Sequence, residues 1–264
     1  MKKRTKIILG ILAVISAAVC LACCVFIWQY FRGSQLNERM EQHISTSVVV
    51  EESDSKSEEA PELLPEWFIA VDFESLAEVN EDIYAWINIP ETNINYAVVQ
   101  SPTDDLFYND HGVDKAYYSG GSIFSQRYNT KTFEDPVTVL YGHNRKSETM
   151  FAQVNNYADP EFFEAHPYIY IDTPDRVYVY QIFAAFPHSS EHLLVCHNFT
   201  DSDQFNAFFE SLGGSFDSNY REELFPSSED HVLTLSTCYR NNRMQRYLVQ
   251  GILQMEYLIE TEVQ

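Results

Sequence analysis

Residues 7–31 carry no charged side chain, and this run of 25 residues constrains the chain more than any other feature. A helix needs about 20 apolar residues to cross the hydrocarbon core of a bilayer, so the run predicts one transmembrane helix. Lys2, Lys3, Arg4 and Lys6 precede it, and Arg32 alone follows directly. Flanks rich in Lys and Arg stay in the cytoplasm, so residues 1–6 are expected inside and everything after the span outside. A cleaved signal peptide is the competing reading. Its apolar region covers about 7–15 residues and ends at a small-x-small site, whereas this run is longer and lacks such a site. A lipid-modified Cys23 or Cys24 fits the preceding residues poorly.

The part expected outside is strongly acidic. From residue 33 onward 12 basic residues face 39 acidic ones, a balance of −27 within a whole-chain formal charge of −22. Gripping phosphates takes concentrated Lys and Arg, so a nucleic-acid role is excluded. Residues 32–62 include Ser45-Thr46-Ser47 and an acidic, serine-rich stretch at 51–59. Low hydrophobicity and like charge do not offset the entropy of ordering, which predicts a flexible stalk, part of which can extend the membrane helix. Residues 63–264 read as one globular domain, large enough to bury a core.

Within that domain Phe73, Leu76, Val79, Ile83 and Trp86 recur at helical spacing, which predicts a helix over 73–86. β-branched and aromatic runs at 94–99, 121–124, 137–141, 168–171, 177–186, 232–237 and 247–255 predict seven strands. A second helix is expected over 203–212, with Phe205, Phe208, Phe209 and Leu212 on one face and Asp201 or Ser202 as its cap. Many strands with few helices predict a mostly β fold. A closed or nearly closed barrel with peripheral helices suits it, because closure removes exposed edges.

Of five cysteines, Cys20, Cys23 and Cys24 fall in the apolar run, where a small soft side chain is ordinary filler. Only Cys196 and Cys238 remain for a compartment that permits disulfide frameworks. Cys238 ends the apolar strand Val232-Leu233-Thr234-Leu235-Ser236-Thr237 and precedes a polar loop, residues 239–245. A thiol works as a nucleophile when a base and a cation assist it. Arg240, Arg243 and Arg246 all follow. Arg246 opens the next strand, and a hairpin across the loop sets it beside Cys238, where a guanidinium can donate two hydrogen bonds to an oxyanion or a substrate backbone. Arg243 takes that place if the strand starts earlier. Among eight histidines, His143 ends the strand at 137–141 through Gly142, a setting like that of Cys238. His43 lies in the stalk, and the others sit in polar or loop contexts. Cys196 reads as core. With His197 beside it and only His192 nearby it makes no zinc pattern, so neither metal nor cofactor is expected.

These residues resemble a known family. Thr234-Leu235-Ser236-Thr237-Cys238 is similar to the Thr-Leu-x-Thr-Cys signature of sortases, and Tyr141-Gly142-His143-Asn144 resembles the histidine segment of their class B members. Asn93-Ile94-Asn95-Tyr96-Ala97-Val98-Val99-Gln100, Gly121-Ser122-Ile123-Phe124, Thr149-Met150-Phe151 and a helix-forming insert over 201–223 resemble class B segments in the expected order. The resemblance implies a sortase-type closed β-barrel of about seven or eight strands, with His143, Cys238 and Arg246 as the catalytic group. It also implies substrate contacts at Tyr141, Ser236 and Thr237. The implied activity is transpeptidation: a thioacyl-enzyme forms at a sorting motif near the C-terminus of a secreted protein and passes to an amine, usually on a peptidoglycan precursor. Two other classes use the same surface, a cysteine hydrolase that releases substrate to water and a silent, membrane-tethered peptide-binding module.

Overall fold

The computed structural model describes residues 2–45, 69–213, 216–242 and 244–259. From the N-terminus, α1 (Lys2–Glu41) leads into β1 (Ile44–Ser45), and the described chain resumes before β2 (Ala70–Val71), α2 (Phe73–Val79), β3 (Ile83–Asn88) and β4 (Asn95–Val99). There follow β5 (Ile123–Phe124), β6 (Val137–Tyr141), α3 (Pro160–Ala165), β7 (Tyr168–Asp172) and β8 (Arg176–Ser189). The single turn α4 (Leu193–Cys196), α5 (Ser202–Glu210) and β9 (Asn219–Tyr220) precede the final hairpin, β10 (Val232–Cys238) and β11 (Gln245–Leu258).

Eight strands close on themselves in the order β11-β10-β6-β5-β4-β3-β7-β8, with β8 pairing back to β11 and β9 added on the outside of β8. Closure depends on β8 and β11, each 14 residues long and antiparallel along nearly their whole length. Two register shifts, at Gln250/Gly251 and Leu253/Met255, bend that ribbon. Gly251 lies at the first bend, where a Cβ would stand 3.0 Å from Tyr180 Cβ.

Period-two alternation decides which side chains enter the barrel. Ile87, Leu140, Leu233, Leu235 and Val249 point inward to the main core. Val137, Val139, Val232 and Leu248 point outward and are covered by Phe205, Phe208 and Phe209 of α5. Asp201 caps α5, accepting from the backbone N–H groups of Asp203 and Gln204. A third cluster joins Met40 of α1 to Leu76 and Trp86.

Three expectations change. The helix over 73–86 stops at Val79, and Ile83–Asn88 is the eighth barrel strand. Asn80 ends it: the buried amide donates to Tyr108 Oη at 2.8 Å and Val113 O at 2.7 Å, while its Oδ1 accepts from Asp82 N at 2.9 Å. Both faces of β3 are covered, so its apolar residues show no alternation and mimic a helical period. Cys196 is exposed rather than core, because α4 is one turn that buries Leu193 instead. Residues 32–41 of the stalk continue α1, as part of the stalk was expected to, but pack on the barrel instead of hanging free; residues 46–68 lie outside the described residues. Within α1, Ile7–Val25 is the stretch long and apolar enough to cross a membrane.

Candidate active site

Strand pairing brings three predicted residues to one end of the barrel. β6 and β10 run parallel with Tyr141 opposite Ser236, so His143 and Cys238 each follow two residues beyond that pair. The segment stays joined past the strand, since Gly142 N–H donates to Ser236 O at 3.2 Å and Thr237 Oγ1 donates to Gly142 O at 2.7 Å. In the antiparallel hairpin, Cys238 pairs directly with Arg246. Arg246 Nη1 donates to Cys238 Sγ at 3.1 Å. Tyr141, Ser236, Cys238 and Arg246 share the parity of Val139 and Leu248, which places them on the outer face of the barrel. There they line a cleft of about 250 Å³ together with His143 and Thr237.

Neighbouring segments hold each member in place. The His143 Nε2 lies 2.7 Å from the Asn109 carbonyl. A carbonyl only accepts, so Nε2 carries a proton and Nδ1 is the other ring nitrogen left for chemistry. Asn144 and Asn155 donate to the Cys238 carbonyl at 2.9 and 3.2 Å, and Asn155 Oδ1 accepts from Arg240 N–H at 2.7 Å. The Asn155 amide thereby grips both sides of the turn that leaves Cys238. Gly142 permits the approach of β6 to its neighbours: a Cβ there would stand 2.6 Å from Ile123 Cδ1 and 2.7 Å from the Phe151 ring.

Of the three arginines after Cys238, Arg246 alone among the described residues touches the sulfur. Arg240 turns away to Ala152 O at 3.3 Å and Asn156 Oδ1 at 3.2 Å, and Arg243 lies outside the described residues. The expected groove residues differ in availability. Thr237 is buried and its hydroxyl is engaged by Gly142 O. Ser236 is also buried, although its side chain reaches the cleft wall. The Tyr141 hydroxyl is buried with no hydrogen-bond partner among the described residues. Burial drives its pKa well above the ordinary phenol value, and the Arg246 charge offsets part of that shift.

Asn109, Asn155 and Glu191 also border this site, as does His188, one of the histidines whose sequence context is polar. They come from turns and strand ends far from Cys238 in the chain, and no spacing in the sequence marks them.

Residues 87–254 match the family described as Sortase domain. A sortase B of Listeria monocytogenes is 31% identical over 183 residues, which cover 67% of this chain and 72% of that protein. A B. anthracis sortase B structure superposes with a TM-score of 0.67 at 24% identity, covering 86% of this chain and 98% of that one. A Staphylococcus aureus sortase B–substrate complex gives a TM-score of 0.60 at 26% identity, with 69% of this chain and 84% of that chain covered. The closed eight-strand barrel, the family match and the related proteins agree: the chain belongs to the sortase family of cysteine transpeptidases and is of the class B kind.

Proposed function

We propose that Cys238 is the nucleophile, His143 the proton carrier and Arg246 the charge stabiliser of a transpeptidase acting on a sorting motif near the C-terminus of secreted proteins. The 3.1 Å contact between Arg246 Nη1 and Cys238 Sγ, in a cleft that also contains His143, carries this reading. The Cys238 thiol proton passes to His143, and the resulting sulfur anion attacks the carbonyl carbon of the motif's threonine, forming a C–S bond as the peptide C–N bond breaks. His143 gives a proton to the departing amine. With Nε2 tied to Asn109, Nδ1 is the nitrogen that moves this proton. An incoming amine then attacks the thioester, His143 takes its proton, and the C–S bond breaks to restore the sulfur anion. Arg246 donates to the sulfur, to the oxyanion or to the substrate backbone in turn, a role suited to a fixed cation in a partly enclosed cleft. Tyr141, Ser236 and Thr237 form the groove wall beneath the motif.

The acceptor we infer is an amine of a peptidoglycan precursor. Anchorage through residues 7–31, with a cytoplasmic N-terminus and the catalytic domain outside, brings enzyme, secreted substrate and acceptor to one membrane face. The basic cluster before the span supports that orientation. The test uses the full chain in detergent with a library of sorting-motif peptides and an amine acceptor, followed by mass spectrometry. Wild type yields peptide joined to the amine, and Cys238→Ala yields none. Equal product from the alanine variant would remove Cys238 from the mechanism, and peptide released only to water would make the enzyme a hydrolase.

A further inference from the structure

In the sequence, Cys196-His197 with His192 nearby offers too few donors for a metal. Folding assembles a different set. The turn after β8 carries Glu191 outward, and the chain returns through α4 so that His197 comes back over His188. One donor atom from each of His188, Glu191 and His197 lies within 4.8 Å of the other two.

Three features distinguish this set from a chance surface cluster. The His197 Nε2 is buried and has no hydrogen-bond partner among the described residues. Glu191 Oε1 stands 3.6 Å from it, too far for a good hydrogen bond. That separation is close to the roughly 3.3–3.5 Å between two ligands of one tetrahedral ion with bonds of about 2.0–2.2 Å. The His188 Nδ1 lies 3.1 Å from the Ser189 carbonyl, so Nδ1–H donates there and Nε2 is the ring nitrogen left to bind an ion. A ligating histidine is oriented in this way, by a backbone acceptor on its other nitrogen. Finally, the Phe208 ring of α5 packs against both imidazoles, with centroids 6.1 Å from His188 and 4.9 Å from His197, and holds them on one apolar wall. Glu191 is exposed on its turn and has the rotamer freedom to close the remaining distance.

We propose that His188, Glu191 and His197 form a binding site for a transition-metal cation of the Zn²⁺ class. Two imidazole nitrogens and one carboxylate favour such an ion over Ca²⁺ or Mg²⁺, which take oxygen ligands. His188 and Glu191 also line the cleft, so the site borders it. His188 stands opposite Arg246 in the β8–β11 register, so a bound ion adds a second cation at the Arg246 end of the cleft. The site does not depend on the catalytic roles proposed above.

The test is calorimetric titration of Zn²⁺ into the full chain in detergent, with Cys196→Ala and Cys238→Ala in every sample to remove the two competing thiols of the barrel domain. One equivalent binds to this parent. Glu191→Gln and His197→Ala each weaken that event at least about tenfold, whereas His192→Ala, outside the set, retains it. The thiols of the apolar run are common to all samples and cancel in the comparison. Far-UV circular dichroism checks folding, and the exposed Glu191→Gln decides the matter if His197→Ala misfolds. Unchanged affinity in Glu191→Gln, or no binding tighter than millimolar in the parent, would reduce the cluster to an ion pair and overturn the proposal.

Discussion

Arg246, which lines the cleft, reaches the Cys238 sulfur through a single guanidinium nitrogen. A lysine in its place retains the charge and loses the planar fork, so Arg246→Lys is not a conservative change here. Loss of about 10²–10³ in kcat is expected, with the melting temperature almost unmoved; steady-state kinetics on a sorting peptide measures it, and full activity would show that charge alone suffices. Asp172, remote from the cleft, carries a different prediction. Its side chain is buried with Oδ2 unpartnered among the described residues, and burial pushes its pKa up to about 8. The unfolded carboxyl titrates at about pH 3.9. Between these values the unfolded chain releases a proton that the folded chain retains, so stability falls as pH rises from about 4 to 8 and is level outside that window. Asp172→Asn, the isostere of the neutral acid, removes this loss. Denaturant melts at pH 4 and pH 8 should show the variant gaining on wild type only at the higher pH, and a pH-independent difference would contradict the burial argument.

At the scale of elements, the parallel pairing of β6 with β10 sets His143 level with Cys238, and the β10–β11 hairpin does the same for Arg246. Gly142 is the narrow point of this arrangement. A methyl group there would press on Ile123 and Phe151 at less than normal contact distance. Gly142→Ala is expected to cost about 1–3 kcal/mol through overpacking and to shift His143, lowering kcat/KM by about tenfold or more. Parallel thermal melts and kinetics separate the two effects, and unchanged kinetics would mean that His143 is placed independently of the strand end. Sequence showed both strands and their ends, and it suggested the hairpin. It missed β3, because a strand buried on both faces lacks the alternation that identifies one. It missed the grip of Asn155 and the contact from Asn109 because both come from separate segments that only the closed barrel brings near.

At the scale of the whole molecule, α1 continues without a break from the apolar stretch onto the barrel surface. Arg32 pairs with Asp114 at 2.7 Å, Met40 is buried, and Asn95 donates to Glu41 at 3.2 Å. From Val25 to Arg32 the helix rises only about 10 Å, at 1.5 Å per residue. In the proposed topology the catalytic domain is therefore held close to the membrane in a set orientation. β1 and β2 pair antiparallel, Ile44 opposite Val71 and Ser45 opposite Ala70, which ties the end of α1 to the start of the barrel domain. Gly33 permits the docking, since a Cβ there would overlap the Tyr118 hydroxyl. Gly33→Leu should lift residues 33–41 from the barrel and speed their amide hydrogen exchange, with the barrel strands unaffected; unchanged exchange in that stretch would mean that the remaining contacts suffice.

The sequence by itself determined the apolar span, the acidity of the large domain, most barrel strands and the identity of Cys238, His143 and Arg246 as the residues to examine. Each of these is written in a local pattern, such as an uncharged run, an apolar strand or a short motif. Only the tertiary structure decided that Arg246 touches the sulfur, that Asn109 and Asn155 orient the site, that α1 docks on the barrel and that His188, Glu191 and His197 converge. Those outcomes depend on strand register and barrel closure, which unite residues distant in the chain through contacts that no local spacing encodes.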